Sequence, residues 1–84
     1  MGNRLFVGNL SFKINRKKLK ELFEPYGEIS EVILLREKKT GRSKGRGFVA
    51  FVNESSANNA LAEMNNKKIL GREIKVSYAL PLKK

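Results

Sequence analysis

Two stretches with helical spacing, each flanked by stretches that alternate, constrain this chain more than any other feature. Leu19, Leu22, Phe23 and Tyr26 fall at i, i+3, i+4 and i+7, which puts them on one face of a helix. Asn15 stands where a helix N-cap belongs, and Pro25 with Gly27 ends the run. Ala57, Ala60, Leu61 and Met64 form a second such face, with Asn53 as its expected cap and Asn65-Asn66 as its end. Around these helices the period drops to two. "RLFVGNL" (residues 4–10) reads as a strand stopping at Gly8-Asn9, and "ISEVILLRE" (29–37) as a second. "RGFVAF" (46–51) reads as a third and "REIKVSY" (72–78) as a fourth. Between the middle two, "KKTGRSKG" (38–45) is a basic loop or hairpin connection.

The order is β-α-β-β-α-β. That is the α+β, ferredoxin-like arrangement, in which two helices cover one face of a four-stranded antiparallel sheet and leave the other face open. A chain of 84 residues builds one such domain around one core. We expect the domain over residues 3–80 and a short basic tail over residues 81–84. Alternation sends Leu5, Val7, Val32, Leu34, Val49, Phe51, Ile74 and Val76 toward the helices. It sends Arg4, Phe6, Ile33, Leu35, Arg46, Phe48, Ala50, Lys75 and Ser77 to the open face. A phenylalanine left in water forgoes about 1.5–3 kcal/mol of burial, so two of them flanked by arginines call for a reason. A rigid aromatic platform edged by cations suits single-stranded nucleic acid. Bases stack on the rings for about 1–3 kcal/mol each, and the phosphates meet the cations. The competing reading is a face covered by a tail or by a partner protein.

Charge points the same way. There are 18 Lys and Arg against 8 acids, all of them Glu, for a net charge of +10. Such an excess attracts polyanions. A merely solvated surface and an anionic membrane are the rivals, and no segment here is both basic and strongly amphipathic. With no Cys and no His, disulfides, the commonest general base and the commonest metal ligand are all missing. The Glu residues are scattered, and "GRSKGRG" lacks the spacing of a phosphate-binding loop and precedes a strand. Neither an enzyme nor a cofactor is expected. No apolar stretch resembles a secretion signal or a membrane span, so the expectation is an intracellular monomer, in cytoplasm, organelle or nucleus. Arg16, Lys17 and Lys18 fall in the first helical turn, where the helix dipole disfavours cations by about 0.3–1 kcal/mol each. Stability gives no reason for them, and we assign them to long-range steering.

Two motifs then carry a resemblance over nearly the whole chain. "LFVGNL" (5–10) resembles the shorter signature hexamer of the RNA recognition motif family, and "KGRGFVAF" (44–51) resembles its longer octamer, [K/R]-G-[F/Y]-[G/A]-F-V-x-[F/Y]. The resemblance implies that Phe6 and Phe48 stack on successive bases and that Lys44 meets a phosphate. It also implies that Ser77 to Ala79 contact bases through main-chain groups, and that the loop from Glu37 to Lys44 clasps the RNA. The candidate RNA-binding set is Arg4, Phe6, Arg42, Lys44, Arg46, Phe48, Lys75, Ser77 and Ala79. The expected partner is single-stranded RNA. Single-stranded DNA is an alternative, since stacking does not read the 2′-hydroxyl, and a protein-binding module of the same fold is another. Arg46 departs from the family, which places an aromatic residue there. It could lay its guanidinium over a sugar or base, make only a phosphate contact, or mark a face turned toward protein. Ile33 and Leu35 are further departures, apolar where the outer sheet is often polar.

Overall fold

A computed structural model describes residues 3–79; the expected tail at residues 81–84 lies outside the described residues. Strand β1 runs Arg4–Gly8, helix α1 Arg16–Phe23, β2 Ile29–Arg36, β3 Ser43–Phe51 and helix α2 Glu54–Met64. Short strands β4 (Lys68–Ile69) and β5 (Arg72–Glu73) follow, and β6 (Lys75–Tyr78) closes the main sheet. The four long strands pair antiparallel in the order β2-β3-β1-β6. This is the ferredoxin-like fold.

Every residue assigned to the helix-facing side is buried. Leu5, Val7, Val49, Phe51 and Ile74 pack with Leu19 and Phe23 of α1 and with Ala57, Ala60 and Met64 of α2. The Phe23 and Phe51 rings meet at 6.5 Å across the helix–sheet boundary. Asn15 caps α1 as its position predicts, its side chain accepting from the Lys18 backbone N–H at 2.8 Å. The helix tightens into a 3-10 turn over Glu24–Tyr26, with Pro25 inside it and Gly27 closing it.

Four local details differ from the sequence reading. Asn53 sits at the N-cap of α2 in extended geometry, but its side chain makes no capping bond; its carbonyl accepts from Ala57 N–H at 3.3 Å. The strand expected over residues 72–78 is two strands. Arg72–Glu73 turn back onto Lys68–Ile69, and only Lys75–Tyr78 pair with β1. Buried Ile74 is the pivot between them. Strand β3 begins at Ser43 rather than Arg46. Its register with β2 shifts so that Lys44, Gly45 and Arg46 together oppose Leu35 alone, a bulge at the start of the octamer. Lastly, Arg16 has a local task that steering does not describe. Its Nε donates to the Val32 carbonyl of β2 at 3.0 Å.

Candidate nucleic-acid interface

Cross-strand register sorts the open face into three rows. The middle row is Ile33, Phe48, Phe6 and Ser77, one residue from each strand of the sheet. Phe6 and Phe48 are half-buried, with ring centroids 5.6 Å apart and planes at 64°. Edge-to-face contact is a favoured geometry for two aromatic quadrupoles. It also means that one planar base cannot lie flat on both rings. Two stacking surfaces at this angle take two different partners, whether two bases or a base and a sugar.

The second row is Glu31, Ala50 and Arg4. Arg4 and Glu31 join above Ala50 at 2.9 Å, from the strands on either side of it. That bridge explains why Ala50, on the outer face as expected, is nevertheless buried, at 7% exposure. Arg4 is therefore held by a carboxylate at one border of the platform, not presented as an unpaired cation.

The third row is cationic. Phe6, Phe12, Lys44, Arg46, Arg72 and Lys75 border a groove of about 350 Å³ whose floor includes Gly8. Two glycines make it possible. A Cβ on Gly8 would lie 3.0 Å from Cε2 of Phe6, so the bare backbone lets the ring lie closer over that position than a side chain there would. Gly45 adopts φ +78°, the left-handed region that favours glycine, and its carbonyl accepts from Leu10 N–H at 2.8 Å. Lys44 and Arg46, on either side of this kink, border the same groove.

The remaining candidates divide. Lys75 reaches the groove while its Nζ donates to Asn66 Oδ1 at 2.6 Å and lies 3.4 Å from Glu73 Oε2. Ser77 is exposed beside Phe6. Ala79 donates its backbone N–H to the Arg4 carbonyl at 3.0 Å, so that donor is already engaged. Arg42 lies away from the outer groove, in a second groove with Arg36 on the hairpin between β2 and β3. Three residues escape the sequence reading. Asn9, at φ +55°, accepts from Arg72 Nη2 and donates to the Glu73 carbonyl, both at 2.7 Å, tying the β4–β5 hairpin to the end of β1. Arg72 is thereby aimed into the groove. Phe12 stands 70% exposed beside Gly45. The signal for it was available: an aromatic between Ser11 and Lys13 that belongs to neither the strand alternation nor the α1 stripe.

Among the described residues no three acidic, His or Cys side chains gather to hold a metal, and no helix is long and apolar enough to cross a membrane. Comparison with known proteins identifies relatives and a family. Over 79 residues, 94% of this chain, the sequence is 46% identical to the Glycine-rich RNA-binding protein 4, mitochondrial, of Arabidopsis thaliana. Over 75 residues, 89% of the chain, it is 40% identical to the Probable RNA-binding protein 23 of Homo sapiens. It spans 58% and 17% of those two proteins. Its fold superposes on the protein of an Sxl-lethal protein/RNA complex with a TM-score of 0.92, at 31% identity, covering 100% of this chain and 50% of that one. Residues 5–75 match the RNA recognition motif, and the chain belongs to that family.

Proposed function

We propose that the open sheet face binds single-stranded RNA and that residues 3–80 act as one RNA-binding unit. The observation that carries this reading is the pairing of Phe6 with Phe48 at 64° on the face opposite the helices, with cations gathered along one border. Each ring takes one base or sugar. Lys44, Arg46, Arg72 and Lys75 take phosphates as the strand passes along the groove. Arg46 acts by charge in this scheme, beside Lys44 in the groove that the Phe6 ring also borders. Further support comes from the relatives, two of which are named RNA-binding proteins and one of which is the protein of an RNA complex. RNA binding of this kind needs no catalytic group.

Amide chemical shifts followed during titration with short single-stranded RNA and DNA pools test the proposal. Shifts should gather on β1, β3 and β6. Shifts confined to α1 and α2 would move the site elsewhere, and equal responses to DNA would widen the ligand class. Four groove cations also set a salt slope. At about 0.7 per phosphate neutralised, log K should fall by about 3 per tenfold rise in salt. A flat dependence would remove phosphate contact from the scheme.

A further inference from the structure

Among the described residues, Glu31 is the one acid on the open face of the four long strands. A carboxylate there repels the phosphates that the neighbouring cations attract, so charge alone gives no reason for it. Its placement is nonetheless built. Ile29 opposes Phe51 and Glu31 opposes Ala50, so Ser30 is an extra residue in β2, a bulge immediately before Glu31. Bulges re-aim side chains beside functional sites. The Ser30 hydroxyl donates to the Ala50 carbonyl at 3.3 Å across this bulge. Glu31 then crosses above Ala50 to Arg4, whose Nη2 donates to Oε1. Half of the Glu31 side chain is still exposed, and Oε2 meets no donor among the described residues. Ala50 stands two residues from Phe48 on β3, and Arg4 two from Phe6 on β1. The bridge thus runs beside both rings, on the side away from the cationic groove.

From this arrangement we infer that the Arg4–Glu31 pair reads the edge of a stacked base and selects guanine. An ionised carboxylate only accepts hydrogen bonds, and a guanidinium only donates them. The Watson–Crick edge of guanine sets two N–H donors, at N1 and N2, beside the O6 acceptor. The two donors meet the carboxylate, and O6 meets an Arg4 N–H that Glu31 does not use. Adenine and cytosine bring one amino donor each. Uracil brings one N–H between two carbonyls, which the carboxylate repels. The ligand class is therefore single-stranded RNA that carries guanine, and Glu31 is a specificity residue that trades general attraction for base choice. The inference rests on the sheet face being the RNA site and adds which base that face prefers.

Fluorescence anisotropy on three labelled eight-nucleotide RNAs provides the test. Each is oligouridine with one central purine nucleoside: guanosine, adenosine or inosine. Adenosine matches guanosine as a stacking surface, and inosine lacks only the 2-amino group. The wild-type chain should bind the guanosine oligomer about tenfold more tightly than the adenosine one, with inosine between them. Glu31→Gln should bring the guanosine-to-adenosine ratio down to about one or below, because an amide serves adenine well. Phe48→Ala should weaken binding of all three. Equal binding of guanosine and adenosine by the wild-type chain would overturn the inference. So would a guanosine preference that Glu31→Gln leaves intact, or inosine bound as tightly as guanosine. If instead Phe48→Ala weakens none of the three, the sheet reading itself fails, a result distinct from these. Glu31 is exposed, so its substitution leaves the core intact, which a melting curve checks.

Discussion

Phe48→Ala separates what the open face does for binding from what it does for stability. The ring is half-buried, flanked in its row by Ile33 and Phe6, and lies outside the core cluster and the side chains packed against it. Its removal costs the edge-to-face contact with Phe6, about 0.5–1.5 kcal/mol beyond area burial. Three residues on, Phe51 is fully buried against Phe23, and Phe51→Ala should cost about 3–5 kcal/mol and threaten the fold. In binding the ranking reverses. Loss of one stacked base should weaken RNA affinity by about 1–3 kcal/mol, or about 5- to 150-fold. The angle between the rings adds a sharper expectation. If each ring takes its own partner, Phe6→Ala and Phe48→Ala should be nearly additive in RNA affinity. In stability the same pair should be coupled, because the two rings touch. A double-mutant cycle read by fluorescence anisotropy on labelled RNA and by urea denaturation measures both quantities on the same four proteins. Unchanged affinity in Phe48→Ala would refute the stacking argument. A double variant no weaker than either single one would show that a single base bridges the two rings, against the angle between them.

Other outcomes follow from the geometry. Gly8→Ala places a methyl 3.0 Å from Phe6 Cε2, so the ring must give by a few tenths of an ångström; RNA affinity should fall slightly in anisotropy while urea stability holds or rises, since alanine suits a strand better than glycine by about 0.5–1 kcal/mol. Glu31→Gln frees Arg4 from its ion pair, so RNA should bind more tightly and the salt slope should steepen by about 0.7, with stability changed by less than about 1 kcal/mol. Asn15→Ala removes the α1 cap and should lower stability by about 1 kcal/mol in urea denaturation.

Much of this was legible in the sequence because period carries it. The helix-facing set emerged intact, since a pleated strand sends alternate residues to opposite faces whatever its neighbours are. Phe6 and Phe48 stood out for the same reason. What stayed hidden depends on contacts between distant residues or on segments too short for any period. The β4–β5 hairpin uses two residues per strand, fewer than alternation needs to show itself. The bulge at Lys44–Arg46 inserts residues without changing composition, so the start of β3 was invisible until its register with β2 was known. Arg4 looked like a free cation because Glu31 lies 27 residues away, and Asn9 looked like a strand terminator because its partners lie more than 60 residues on. Ala50 was placed on the correct face, yet its burial is created by two side chains that cross above it.

The bond from Arg16 to the Val32 carbonyl has a counterpart across the molecule, where Asn65 Oδ1 accepts the Val76 N–H at 2.9 Å. Strands β2 and β6 are the two margins of the sheet, and each has one outward main-chain group already taken by a side chain. Unclaimed margins invite another strand to join, and here the usual deterrent is mutual repulsion between strongly basic molecules. A bound polyanion cancels that repulsion and crowds copies together at the moment when strand-to-strand association becomes easiest. The two side chains keep their bonds whatever the surrounding charge. Part of each margin therefore stays occupied when charge repulsion falls.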